Sequence, residues 1–560
     1  MQVKQTIGVR ALALVIAAVL TTSAQAQWVP NYQYYTIQRI GLYGPAHTGS
    51  AGLQSSVASL LNAPGFVAGY AIRYTGVNTF NGQDAWAWNG TTTTQIGLAG
   101  GVYTGSAGRQ VSRPSFQNAA GQVAGYSERY TGVSTSNGQD AWVWNGTTTQ
   151  QIGLTGAGYT GSAGYQYSQP RFQSSAGLVA GTSQRVTGVN TYNGQDAWVW
   201  NGTTTTQIGL AGGVYTGSAG YQVSEPQFQN AAGRVAGFSA RYTGVNTYNG
   251  QDAWAWNGTT TTQIGLTGAG YTGSAGYQLS LPRFQNSAGQ VAGLSYRFTG
   301  VNSYNGQDAW AWSGTTTTQI GLTGAGYSGS AGYEYSQPLL QNSAGQVVGT
   351  SQRVTGVDAL NGQDAWVWNG TTTTQIGLTG GAYTGSAGYQ ASQPSFQNAA
   401  GQVAGYSNRY TGVNTYNGQD AWYFDPLTLL TSPVIGSIRT SDNFASSSPT
   451  ILTDGGFLLG NYQYFPGGLG SGELRAFIFR PDLGLTDLGS LVDGGLTLNG
   501  WSTLQNPVFS DALYTIVGYG YVNGQTSGQS VFIMVPAPAS GALLGLGGLL
   551  AARRRRASVV

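Results

Sequence analysis

The sequence predicts an all-β fold: a β-propeller of about nine four-stranded blades, closed by an N-terminal strand and flanked by a helical signal and a helical C-terminal tail. Three observations predict it. The hexapeptide NGQDAW begins at Asn81 and recurs at Asn137, Asn193, Asn249, Asn305, Asn361 and Asn417, always at the same interval. A fixed period on the scale of a few short strands means stacked supersecondary units. No part of the body sustains a helical period, whereas Thr, Val, Ile, Trp and Tyr supply strand propensity throughout. Finally, the array opens with a strand that lacks a blade and closes with a blade that lacks a strand.

Taken from the N-terminus, residues 1–26 read as a secretory signal. Lys4 and Arg10 precede an apolar run from Ala11 to Leu20, and Ala24-Gln25-Ala26 has the small-x-small cleavage pattern. The body then runs from 27 to 534. In units two to seven a proline precedes a glycine at a constant spacing, as in Pro114/Gly125 and Pro170/Gly181. The same pair returns at the same spacing, in degenerate surroundings, as Pro449/Gly460 and Pro507/Gly518. Unit one keeps Gly69 and has Ala58 at the proline position, which brings the count to nine.

Each unit reads as four short strands. The first is the RFQN-like stretch after the proline and the second is QVAGYS, with an Ala-Gly turn between them. DAWVW is the third, and TTTTQIGL, reached through an Asn-Gly turn, is the fourth. Before unit one stands YYTIQRIGL, Tyr34 to Leu42, a fourth strand without the other three. The last unit stops at its third strand, VFIM. Pairing these two orphans would close a ring and leave only short protected edges, whereas an open solenoid calls for polar capping repeats.

Thirteen of the fifteen tryptophans lie in the DAWxW strand, for example Trp86 and Trp88, two apart and so on one face. Small residues such as Ala85 and Ala87, or Val143 and Val199, occupy the other face. A large face against a small one allows neighbouring units to interdigitate at core density. Burying one indole is worth on the order of 5 kcal/mol as an upper bound, so the tryptophans are read as core.

Composition narrows the function classes. The 560 residues include 90 glycines, one histidine and no cysteine, and only 7% are charged, against about 25% in ordinary domains. Zero cysteines exclude disulfides and thiolate metal sites. The lone His47 cannot build a multi-histidine site. Of 22 basic residues, two lie in the signal and four in the tail, leaving 16 against 19 acidic ones in the body. The body is therefore mildly acidic, and nucleic-acid binding loses its electrostatic support.

The C-terminal segment, 535–560, has three parts. Pro536 and Pro538 flank its start, an apolar run follows from Ala539 to Ala552, and Arg553, Arg554, Arg555 and Arg556 end it. That run falls short of the ~20 residues of a simple transmembrane helix, and the arginines form a stop-transfer cluster that prefers the cytoplasmic side. This order of parts resembles the PEP-CTERM sorting signal of Gram-negative bacteria, with Ala537 where that family usually has glutamate. The resemblance implies a short transmembrane segment, transient attachment to the inner membrane and recognition by an exosortase-type sorting transpeptidase. It further implies a destination at the cell surface or in the extracellular matrix. AFIFRPDLGLTDLGSL, Ala476 to Leu491, and the recurrent GQVAGYS resemble the HAF family of bacterial extracellular repeats. That second resemblance implies a secreted repeat protein and no defined activity.

Candidate chemistry is sparse. Asp84, Asp140, Asp196, Asp252, Asp308, Asp364 and Asp420 recur once per unit. Arg73, Arg129, Arg185, Arg241, Arg297, Arg353 and Arg409 each precede one of them at a constant spacing. They are expected to form Arg–Asp pairs, or aspartate–backbone bonds, that tie each unit together. One carboxylate per unit, with no D-x-D-x-D-G spacing, is a poor calcium site. No G-x-S-x-G, H-E-x-x-H or P-loop pattern occurs, so no cofactor, metal or catalytic set is expected. The Asn-Gly-Thr sequons at Asn89, Asn145, Asn201, Asn257 and Asn369 read as hairpin turns.

These observations predict an exported, non-enzymatic repeat protein, a structural or adhesive component of the cell surface or exopolysaccharide matrix. The alternative is a multivalent carbohydrate-binding propeller using Tyr159 or Tyr165 in the YTGSAGYQ loops. A weaker one is a hydrolase built on charges unique to the degenerate units: Asp454, Glu473, Asp482 and Asp511.

Overall fold

The computed structural model describes residues 38–510, 515–524 and 529–535. The signal and the C-terminal tail, including Pro536, Pro538, the apolar run and the four arginines, lie outside the described residues. Among those described, the only helices are 3-10 turns of three or four residues. No helix is long and apolar enough to cross a membrane, so the expected transmembrane helix is not found among them.

The repeat is built as the sequence pattern implies. In unit two, strands Gln110–Gln117, Val123–Thr131, Thr135–Trp144 and Thr149–Ile152 form an antiparallel sheet in chain order. Unit one starts with Ser56–Leu61 and unit eight with Ala445–Leu452; each has four strands, and unit nine has three, Trp501–Ser510, Ile516–Val522 and Ser530–Met534. The turn between third and fourth strands differs from the two-residue hairpin expected. Trp144 pairs with Thr149, so four residues form the loop. Asn145 closes it through its side chain, Oδ1 accepting from the backbone of Thr147 at 3.0 Å and Thr148 at 2.9 Å.

The expectation of a closed β-propeller is wrong. The third strand of each inner unit continues, in parallel, into the first strand of the next, as Gly138 to Gln166 and Gln139 to Tyr167. Units one to eight thereby join into a single 32-stranded sheet, with the strands of unit nine a separate sheet of three. The result is an open β-solenoid of about 13 turns.

Among the described residues the orphan N-terminal segment pairs with no third strand, so it closes no ring. Residues 38–42 are not a strand. They lie on unit one as Ile96-Gly97-Leu98 lie on unit two: Gly41 N donates to Thr93 Oγ1 at 3.3 Å, and Gly97 N to Thr149 Oγ1 at 3.2 Å. A Cβ on Gly41 would strike Ser56, and one on Gly97 would strike Ser112. The segment belongs to the unit that follows it and is thereby held at the head of the array.

The core is the series of unit–unit interfaces. Ala124, Ala141, Val143 and Ile152 of unit two pack on Val179, Trp198 and Trp200 of unit three, and the same arrangement repeats along the array. The glycine of the second strand makes room for the indole. A Cβ on Gly125 would sit within 2.5 Å of the Trp142 ring and 2.2 Å of the Arg113 carbonyl.

Candidate functional site: the repeated aspartate node

Each inner unit carries one polar node inside this apolar stack. Asp196, on a third strand, is fully buried. Its Oδ2 accepts from Arg185 at 2.7 Å and from the Tyr159 hydroxyl at 2.5 Å, and its Oδ1 accepts from Gln222 at 2.6 Å. Arg185 comes from the second strand of the same unit, two residues beyond the pairing of Ser183 with Asp196. Tyr159 comes from the loop leaving the preceding unit, and Gln222 from the first strand of the next. One carboxylate therefore ties three consecutive units.

The node recurs at fixed phase. Arg73–Asp84 and Arg129–Asp140 both close at 2.5 Å, and Arg241, Arg297, Arg353 and Arg409 meet Asp252, Asp308, Asp364 and Asp420 at 2.6–2.7 Å. Tyr103, Tyr215, Tyr271, Tyr327 and Tyr383 each donate to their aspartate at 2.7 Å. The guanidinium carbon also lies near the face of the same tyrosine, at 5.7 Å for Arg185 over Tyr159. Burial, followed by the adjacent carboxylate, pushes the Tyr103 and Tyr159 hydroxyls above their ordinary range. Burial likewise raises Asp140, against the lowering effect of Tyr103, Arg129 and Gln166.

The constant Arg–Asp spacing was legible in the sequence, but the tyrosine was not. A second spacing marks it, because a tyrosine precedes every aspartate from Asp140 to Asp420 by one fixed interval, as Tyr103 precedes Asp140 and Tyr159 precedes Asp196. His47 holds that place in unit one, with Nε2 at 2.9 Å from Asp84 Oδ2. The Asp308 node carries a second carboxylate. Glu334 stands where other units have Gln110, Gln166, Gln222, Gln278 and Gln390. Arg297 bridges both carboxylates, at 2.6 Å to Asp308 and 3.1 Å to Glu334, and Ser328 donates to Glu334.

With Arg and Tyr converging on it in the inner units, and Gln222 joining them at Asp196, the node is a cross-link. Among the described residues no group of three or more His, Asp or Glu side chains is placed to hold a metal ion. Tyr159 has its hydroxyl in the node, and Tyr165 donates to Gln184 at 3.0 Å. The charges singled out in the degenerate units do not converge: Glu473 pairs with Arg475 at 2.9 Å, Asp482 pairs with Arg480 at 2.5 Å, Asp454 is exposed in a turn, and Asp511 lies outside the described residues. A cleft there is lined instead by Tyr462, Tyr464, Arg475, Asp487, Ser490 and Ser502, with Tyr462 donating to Asp487 at 2.7 Å.

No family model matches the chain, and no curated protein matches it. Among solved structures it is similar to the β-propeller domain of the Trilobed protease from Pyrococcus furiosus, described as having an open velcro topology. That match has 8% identity and a TM-score of 0.24, covering 68% of this chain and 95% of that one. Acylaminoacyl peptidase from Pyrococcus horikoshii is similar at 7% identity and a TM-score of 0.23, over 83% of this chain and 57% of the other. A mutant of AofleA from Arthrobotrys oligospora gives 10% identity and a TM-score of 0.20, over 59% and 92%. Likenesses this remote carry neither fold nor function to this chain.

Proposed function

We propose that the chain is an exported, non-enzymatic structural or adhesive component of the cell surface or exopolysaccharide matrix of a Gram-negative-type bacterium. One observation carries the reading: the charged residue that recurs in every inner unit faces inward and joins units, as Asp196 joins three. The outer surface carries few charges, the exposed Arg113, Arg171, Arg234 and Arg283 among them. A row of hairpin tips presents Val77, Val133, Val189, Val245, Val301, Val357 and Val413 to solvent, a surface suited to close packing among hydrated neutral polymers and unsuited to nucleic acid. Export uses the N-terminal signal. A sorting transpeptidase recognises the C-terminal segment at the inner membrane, and the protein is then displayed or released.

Mass spectrometry of the exported protein checks the route: the expected C-terminus lies near Val535, and an intact arginine cluster on the surface-displayed form would sink it. A broad hydrolase panel is expected to show no turnover.

A second reading, multivalent glycan binding, is favoured by one feature. Tyr192, Tyr248, Tyr304 and Tyr416 are exposed at the same phase of successive hairpins, and Tyr192 meets Tyr221 edge-on at 6.0 Å. Exposed aromatic rings at a regular interval suit the apolar faces of sugars. A glycan array at high protein density separates the two readings, because the structural reading predicts no selective binding.

A further inference from the structure

The two ends of the solenoid expose the two halves of its own internal interface. At the C-terminal end, Gly518 pairs with Phe532 as Gly405 pairs with Trp422, so Val531 and Ile533 correspond to Ala421 and Tyr423. Those two are buried against unit eight, at 0% and 2% exposure, whereas Val531 and Ile533 are each 65% exposed. Val517, beside them, is partly exposed where Ala404 is buried.

The N-terminal end shows the other half. Val67 and Trp88 are partly exposed, while their counterparts Val123 and Trp144 are buried against the unit before. Leu61 is 74% exposed and stands where units two to seven have glutamine. That position faces the preceding unit, since Gln173 Nε2 reaches Gln122 Oε1 at 3.2 Å across the boundary. Large exposed apolar side chains at a site that elsewhere contacts the preceding unit mark an interaction surface.

The strand inventory completes the match. Inside the array a third strand pairs with a fourth, Ala141 with Ile152 and Val143 with Gln150. Among the described residues nothing pairs with the outer edge of Ser530–Met534. Conversely, Gln38, Arg39 and Ile40 stand one full repeat before Thr94, Gln95 and Ile96 of a fourth strand, and they pair with no third strand.

We propose that a second copy of this chain covers the C-terminal end, its residues 38–40 adding a fourth strand to Ser530–Met534 and its unit one stacking on unit nine. The register that repeats within the chain places Ile40 of the incoming copy opposite Val531, and Gln38 opposite Ile533. Main-chain bonds along the edge give affinity, and the Val67, Trp88 and Leu61 face against Val531 and Ile533 gives specificity. The contact is head-to-tail, so every assembly keeps one free head and one free tail, and association extends a filament. This goes beyond the proposed function and does not depend on where the protein is displayed.

The test uses the full chain in mild detergent, which keeps the apolar terminal segments from aggregating. Sedimentation velocity and electron microscopy over a concentration series are expected to show end-to-end chains one solenoid wide. Ile533→Asp at the tail and Leu61→Asp at the head, both at exposed positions, each weaken association about tenfold or more. An equimolar mixture of the two variants retains one intact head and one intact tail, and stops at dimers. A chain that is monomeric at every concentration overturns the proposal, as do oligomers indifferent to both substitutions. Oligomers that appear only after removal of residues 536–560 also overturn it, because the chain's own tail would then be the occupant. Failure of surface display with filaments intact would count against the proposed function alone.

Discussion

Units one to seven and units eight and nine solve the same packing problem with different parts. In the inner array the buried aromatic opposite the second-strand glycine is tryptophan, and each interface is crossed by an aspartate node. In the C-terminal pair the aromatic is Phe477 or Phe532, opposite Gly460 and Gly518. The inter-unit node is gone. Asp487 still takes a tyrosine, Tyr462, and lies 3.6 Å from Arg475, but all three belong to one unit and Asp487 is partly exposed. Beside an apolar contact, the polar links from unit eight to unit nine are neutral: Asn461 donates to Asn506 Oδ1 at 2.8 Å and accepts from its backbone at 2.7 Å, and Gln505 donates to the Leu474 carbonyl at 2.9 Å. The inner array thus depends on charge buried between units, and the C-terminal pair does not.

Breaking a node is the strongest way to test that difference. Asp252→Ala leaves the Arg241 guanidinium and the Tyr215 hydroxyl facing each other without their shared acceptor. Removing one partner of a buried pair costs about 3–5 kcal/mol. Asp487→Ala is expected to cost about 1 kcal/mol or less, because solvent reaches that group. Urea unfolding followed by tryptophan fluorescence reads both, and equal losses would show that the nodes do not carry the inner array. Next in size is the aromatic. Trp254→Ala is expected to cost about 3–5 kcal/mol through the cavity it leaves. Trp254→Phe, which copies the C-terminal solution, is expected to cost under half of that.

How much of this was readable beforehand follows from what each residue touches. The strands and the tryptophan core are local patterns, and a strict period multiplies the evidence for them. The Arg–Asp pair is local too, because both residues lie on one hairpin. The tyrosine comes from a neighbouring unit, so only its phase betrays it. Ring closure failed for a different reason. The QIGL segment pairs with its own third strand, Ala141 with Ile152, and its glycine and leucine also seat on the following unit, Leu98 N donating to Ser127 Oγ at 3.0 Å. A lone copy of that segment satisfies the second contact without the first, and no sequence pattern says which of the two decides its place.

The exceptional node sharpens the comparison through pH. Burial, and then the Asp308 charge, hold the Glu334 carboxyl above its ordinary range, while Ser328 and Arg297 oppose the shift. The groups facing it are Asp308, Arg297, Tyr271 and Ser328. A carboxyl whose folded pKa is raised binds its proton more readily folded than unfolded. Folding stability therefore falls as pH rises through the window above its ordinary value near 4.5. Glu334→Gln restores the residue of the other units. It is expected to flatten that part of the pH–stability curve and to stabilise at neutral pH by about 1 kcal/mol or less, since solvent screens a half-buried group. An unchanged curve would show that the pair carries no strain.

The head of the array holds the variant with the smallest expected effect, His47→Tyr. His47 fills the tyrosine place in unit one, but no unit precedes it among the described residues, so its node joins one unit fewer than that of Asp196. His47→Ala removes one donor and leaves Arg73 on Asp84. Tyr215→Ala removes the equivalent donor and also a ring that lies 5.9 Å from the Arg241 guanidinium carbon. A hydrogen bond to a charged group is worth about 1.5–3 kcal/mol, and the larger tyrosine ring, which also lies against the guanidinium, adds more lost packing to the second variant. His47→Ala is therefore expected to cost about 1.5 kcal/mol, clearly less than Tyr215→Ala. His47→Tyr, which completes the repeat, is expected to change stability by no more than about 0.5 kcal/mol, because both side chains donate to the same oxygen. Thermal unfolding of the three variants orders them. If His47→Ala cost as much as Tyr215→Ala, the first node would bear the same load as the inner ones, and the contrast between a held interior and an open head would fail.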